Sequence, residues 1–227
     1  MNTTYASLSP LDLHAQSTVD RAAEALRQAL FAGDLAAGTP LREIALADSL
    51  GVGRSTIREA LGVLAAEGLV TRIPNRGVVV TEHDPDQVRD VVQARIVLET
   101  AGVHAWPEAD AEHREAVRAA FAAYERLIEA GAPVRDVSEA HLSFHISISA
   151  LTASTRLVAV AQGLAAEIRL ALAHVDRVRG DVHEQLDKHR HLLALLESGD
   201  TAATVTELRR HLLDGEHSLL QAVAADY

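Results

Sequence analysis

The 227-residue chain contains no cysteine. That absence excludes a disulfide scaffold, a zinc–thiolate site, an iron–sulfur cluster and a cysteine nucleophile together. No run approaches the roughly 18–20 apolar residues of a membrane span, and the opening MNTTYASLSP holds no apolar signal core. No membrane partner and a cytoplasmic location are the expectations. Positive charge is scarce as well: 21 Lys and Arg face 32 Asp and Glu, a net of -11. This excludes a protein that coats nucleic acid through bulk charge, but not one that presents a few arginines locally. What the chain does have is 48% hydrophobic residues, an ordinary folded composition, and twelve histidines.

Composition shifts near residue 82. The net charge is -2 over residues 1–82 and -9 over residues 83–227, and the histidines concentrate in the second part. The segment 81–86 (TEHDPD) reads as a short linker, with Asp84 placed to cap a helix that Pro85 opens. Two domains are expected, 1–82 and 83–227. In the first, residues 17–32 carry a helical apolar face, and residues 33–40 form a turn-rich break. A short helix from Glu43 to Leu50 is closed by Gly51, and a second runs from Arg54 to about Glu67. Two β-branched runs flanking Pro74, Asn75, Arg76 and Gly77 make a hairpin. In the second domain only the helical period is present, over 85–105, 111–130, 136–151, 154–178, 181–198 and 201–224. The fold class is therefore mainly α: a winged helix-turn-helix followed by an antiparallel all-α bundle.

A helix-turn-helix needs small or apolar residues where its helices cross, and Leu46, Ala47, Leu50, Val52, Ile57, Ala60, Leu61 and Leu64 supply them. Its second helix must begin with short polar or basic residues that meet phosphates and base edges. Arg54, Ser55, Thr56 and Arg58 stand there, and Asn75, Arg76 and Gly77 form the tip of the wing. The alternative is that Arg54 and Arg58 are solvated helix charges paired with Glu59 and Glu67. The motif LREIALADSLGVGRSTIREAL (41–61), followed by EGLV (67–70) and Arg76-Gly77, resembles the GntR family of bacterial transcription regulators. The sequence departs from that pattern at Gly53, where Ser is usual, and at Thr56, where Pro is common. The resemblance implies binding to double-stranded operator DNA. So few basic groups per copy imply a homodimer on an inverted repeat.

The second constellation is four histidines. His141 and His145 are four residues apart, hence on one helical face. His189 and His211 lie eleven residues on either side of Asp200, so an antiparallel pair folded at Gly199-Asp200 sets them at one height. Four imidazoles suit zinc, nickel or a similar first-row ion, and do not suit magnesium or calcium. Their affinity for metal is expected to fall below about pH 6.5, where imidazole protonates. The same spacings also arise by chance among twelve histidines, and His191 and His217 stand at similar places.

The helical part resembles the FCD ligand-binding domain of the FadR subgroup of GntR regulators. Its metal-binding members show D-x-x-F-H in one helix and single histidines in the last two. Here His141-Leu-Ser-Phe-His145 carries His in place of Asp, and Thr155 stands where Asn is frequent. Four neutral ligands leave the dipositive charge uncompensated and favour an anion in the open position. Arg95, which matches a family arginine, and Arg169 are the candidates to clamp an effector carboxylate. Arg95 is equally placed to pair with Glu99 at i,i+4, and Trp106 reads as core.

These features point to a dimeric repressor released by a small carboxylate bound at a metal. The alternatives are a metal sensor without organic effector and a metal-dependent enzyme. Hydrolytic zinc sites need a general base beside the ligands, yet only Leu142, Ser143 and Phe144 separate His141 from His145. Nor is there a nucleophile elbow, a P-loop or a dinucleotide fingerprint. An enzyme is not expected.

Overall fold

The structure, a computed structural model, describes residues 17–74, 76–82, 84–179 and 182–225. Helix α1 (Thr18–Ala32) starts from a capping box in which Ser17 and Asp20 satisfy each other's backbone amides. It ends at Gly33, whose φ of 82° only glycine adopts without strain. Strand β1 (Pro40–Leu41) precedes α2 (Glu43–Leu50) and α3 (Arg54–Ala66); β2 (Val70–Ile73) and β3 (Gly77–Val80) complete the unit. The sheet is antiparallel in the order β1-β3-β2, with Val70 opposite Val80.

The third strand was not visible in the sequence, where residues 33–40 read as a break. Two residues beginning with proline carry no strand period. The pairing comes from β3: Gly38 donates to Val80 and Val80 donates to Thr39, each at 3.0 Å. Proline is tolerated because it opens an edge strand. Ile57, Ala60, Leu61, Leu64, Leu69 and Val80 fill the core of this unit. Leu50, expected at the helix crossing, is instead largely exposed, because the short α2 turns only Ala47 fully inward.

The second unit contains α4 (Pro85–Ala105), α5 (Ala111–Glu129), α6 (Val134–Ala150), α7 (Thr155–Arg179), α8 (Val182–Ser198) and α9 (Thr201–Ala225). Asp84 and Gln87 form a capping box on α4, with Pro85 at its first position. Helix α6 is central, packed against α4, α5 and α7, while α4 and α8 flank α9. Phe121, Tyr124, Phe144, Ile148, Leu192 and Leu208 lie in the core, and Trp106 is buried with them. Val134 and Leu170 pack against the core of the first unit, so the two units touch through α6 and α7. Among the described residues no helix is long and apolar enough to cross a membrane.

Helices α4 and α6 approach each other closely at one glycine. A Cβ at Gly102 would lie 1.9 Å from the carbonyl oxygen of Ile148, so only glycine lets α4 run this close to α6. Backbone cannot yield as a flexible side chain does. Gly102→Ala is expected to push the two helices apart and to destabilise the protein by about 1–3 kcal/mol, typical of overpacking. The melting temperature and zinc affinity of the variant, measured together, check this. Both fall if the close approach holds the histidine cluster in register.

Candidate metal centre and nucleic-acid interface

Helices α6, α8 and α9 bring the four histidines to one point. The ligating atoms of His141, His145, His189 and His211 all lie within 4.8 Å of one another. His145 Nε2 is 3.2 Å from Nε2 of His141, 3.2 Å from that of His189 and 3.3 Å from that of His211. The partners of the opposite ring nitrogens decide what those Nε2 atoms carry. His189 Nδ1 lies 2.6 Å from the Gln185 carbonyl, which can only accept, so Nδ1 holds the proton and Nε2 a lone pair. His145 Nδ1 lies 2.7 Å from Glu99 Oε2, and donation to this carboxylate again leaves Nε2 bare. Two lone pairs facing each other at 3.2 Å repel unless a cation or a proton lies between them. The donor set fits a first-row metal ion.

Burial prepares these rings for ligation. It holds His141, His145 and His211 well below the ordinary imidazole range, and the neighbouring rings and Arg95 push in the same direction. His189 is lowered to about 4 by burial, against the pull of its bond to Gln185. Burial raises Glu99 to about 7, and Arg95 opposes that rise. Tyr124 stacks on His141 with 5.5 Å between ring centroids and meets His189 edge-on at 5.3 Å, walling one side.

Arg95 forms the i,i+4 pair with Glu99 weighed for it. Its Nε donates to Glu99 Oε1 at 3.0 Å, while its buried Nη2 has no partner among the described residues. It lines a cavity of about 50 Å³ together with His141, His145, Lys188, His211 and Glu216. The other candidate clamp, Arg169 on α7, is half-buried and does not line this cavity. Glu99, considered from the sequence only as a partner for Arg95, is the residue that orients His145. Its carboxylate also offsets Arg95, so the charge balance involves more than the four ligands. The signal available for it was its place one turn after Arg95; its reach to α6 depends on Gly102, which local periodicity cannot show.

In the first unit Arg54, Ser55 and Arg58 are exposed at the start of α3, and Thr56 is half-buried. The pairing with Glu59 or Glu67 weighed for the two arginines does not form. Arg58 instead donates from Nε and Nη2 to the two oxygens of Glu43, at 3.0 and 2.8 Å, and Arg54 Nη2 is 3.9 Å from the same carboxylate. Glu67 is held by Arg27 at 2.9 and 2.7 Å. Arg76 is exposed, its amide closing the hairpin onto Ile73, and Gly77 has φ 88°, which accounts for glycine at that corner. Asn75 lies outside the described residues.

Known proteins agree with this architecture. The model of bacterial regulatory proteins of the gntR family matches residues 18–80, and that of the FCD domain matches residues 90–214. An uncharacterized HTH-type transcriptional regulator from an unstable DNA locus of Streptomyces ambofaciens is 32% identical over 200 residues, 82% of this chain and 78% of that protein. A probable D-xylose utilization operon transcriptional repressor of Paenarthrobacter nicotinovorans is 29% identical over 182 residues, 79% of each. The crystal structure of a putative GntR transcriptional regulator from Rhodococcus sp. RHA1 superposes with a TM-score of 0.73 at 26% identity, covering 91% of this chain and 99% of that one. These relatives are transcription regulators and not enzymes. With a gntR-type winged helix, an FCD bundle and relatives of this kind along most of its length, the chain belongs to the GntR family of DNA-binding transcription regulators.

Proposed function

We propose that this regulator is a dimeric repressor whose FCD domain holds a divalent metal and that a small carboxylate bound there releases it from DNA. The observation that carries the reading is a converging set of four imidazoles, three of which (His141, His145 and His211) line one cavity with Arg95, whose Nη2 has no partner among the described residues. His141, His145, His189 and His211 would hold one zinc or nickel ion. Such an ion supplies a Lewis-acidic centre for a carboxylate oxygen. Arg95 binds the same carboxylate through its free N–H groups, and Glu99 keeps both Arg95 and His145 in place.

In this reading residues 1–82 bind DNA and residues 83–227 respond to the ligand. Arg54, Ser55, Thr56 and Arg58 enter the major groove, while Asn75, Arg76 and Gly77 follow its edge. Helix α6 supports a route between the two sites. It carries His141 and His145, and near its start Arg135 pairs with Glu24 on α1. Glu24 also pairs with Arg27, which grips Glu67 at the end of α3. A displacement of α6 at the metal is thereby passed to the recognition helix.

Arg54→Ala and Arg58→Ala are each expected to weaken operator binding, by about 1–3 kcal/mol where a bidentate base contact is lost. Anisotropy titrations at several salt concentrations check this; wild-type affinity in the folded variants would contradict the assignment. The repressor reading is tested by titrating the zinc-loaded protein on its operator with short carboxylates. Release is expected. Release by chelator with no response to any carboxylate would instead favour a pure metal sensor, a reading that the narrowness of the 50 Å³ cavity also supports.

A further inference from the structure

Two residues that line the cavity over the histidines each carry a buried polar atom without a hydrogen-bond partner among the described residues, and the two are of opposite character: Nη2 of Arg95 on α4 and Oε2 of Glu216 on α9. Both residues line the same space, yet these two atoms do not bond to each other. Arg95 is only 9% exposed. A buried donor or acceptor left unmade costs more than a made bond returns, so such atoms call for a partner that binds. A single small molecule satisfies both if it offers an acceptor at one end and a donor at the other.

Gly215 adds a second observation. It lies one turn beyond His211 on the same face of α9 and lines the cavity, and a Cβ built there meets nothing within 4 Å. Glycine inside a helix costs about 1 kcal/mol relative to alanine. Here it leaves open space directly beside a histidine of the cluster.

We propose that Glu216 and Gly215 select the tail of the effector: the site takes a short carboxylate whose far end carries a hydrogen-bond donor, and it rejects a second carboxylate. The proposal rests on the cavity being a carboxylate site. The carboxylate lies toward Arg95 and the histidines, and the tail crosses Gly215 to donate to Glu216 Oε2. A diacid would set its second carboxylate against Glu216, with Asp214 also in the lining, while Lys188, the lining's other cation, is held by Glu184 at 2.8 Å. Like charges in a confined site are a means of discrimination, not merely a lost contact.

The test is calorimetric titration of the zinc-loaded full chain, with zinc content read in parallel. The ligands are 3-hydroxypropanoate, malonate, 4-hydroxybutyrate, succinate and 4-aminobutyrate. The ω-hydroxy acid of each length is expected to bind about tenfold tighter than the diacid. The aminobutyrate arm separates an ammonium donor from a hydroxyl. Glu216→Gln is expected to bring the two classes within about threefold, since the amide can donate to a carboxylate. Gly215→Val is expected to weaken every ligand while zinc stays bound. Equal affinities for hydroxy acid and diacid, or an unchanged ratio in Glu216→Gln, would overturn the selection by Glu216. Undiminished binding in Gly215→Val would overturn the role of Gly215. If no carboxylate binds to protein that retains zinc, the carboxylate reading itself fails, and this inference with it.

Discussion

His189→Ala is expected to lose bound zinc and, with it, the part of the thermal stability that a chelator removes. His189 is fully buried, with Nε2 at 3.2 Å from His145 Nε2 and Nδ1 fixed by the Gln185 carbonyl. Its ring is thus held for ligation, and among the described residues only His141, His145 and His211 share the cluster with it. An ion that binds only the folded chain raises stability by about 2.7 kcal/mol at a hundred times its dissociation constant and about 4.1 at a thousand times. For a chain of this size that corresponds to roughly 5–15 °C in melting temperature. Deleting a buried ring has its own cost, so the comparison must be made within each protein. Wild type should melt lower after chelation, whereas His189→Ala should melt at one temperature with or without chelator. His211→Ala should behave alike. Stoichiometric metal and an unchanged chelator response in both variants would place the ion elsewhere.

The metal-free protein is expected to lose stability steeply as pH falls below about 6.5. Burial keeps the four imidazoles neutral in the fold, His189 down to about 4, while in the unfolded chain they protonate near 6.5. Between those limits the unfolded state binds more protons, so each histidine makes stability fall on acidification. Glu99 works in the opposite direction. Raised from 4.5 to about 7, it is protonated more readily in the fold and lends stability as pH falls through that interval. Four histidines against one glutamate leave a net uptake of up to three protons on unfolding. Denaturant titrations of chelated protein between pH 7.5 and 5 check the slope; a flat profile would contradict the burial of neutral rings. Direct protonation of the folded site, expected from ordinary imidazoles below about pH 6.5, is displaced to lower pH by the same burial.

The convergence of the histidines was legible because helical geometry is local. Four residues within α6 fix one face, and equal distances from the turn at Gly199-Asp200 fix the height of the other two. The arginines at the start of α3 and the glycine corner of the wing were legible for the same reason. What the pattern did not contain were contacts between elements. Glu99 reaches His145 only because Gly102 lets α4 and α6 meet, and Tyr124 joins the wall from α5. Arg58 finds Glu43 across the turn of the helix-turn-helix, fifteen residues back, and not a partner on its own helix. Strand β1 exists because β3 offers it hydrogen bonds, a long-range cause that two residues beginning with proline do not announce.

X-ray absorption spectroscopy of the zinc-loaded protein tests the metal centre most directly, because it reads the ligand shell itself. The account predicts a nitrogen-dominated shell at about 2.0–2.1 Å with the multiple scattering of imidazole rings, from four histidines with room for one or two light oxygen ligands. Addition of a short carboxylate should change only the oxygen contribution. An oxygen-dominated shell without imidazole scattering, or a chain that takes up no zinc while folded at neutral pH, would contradict it.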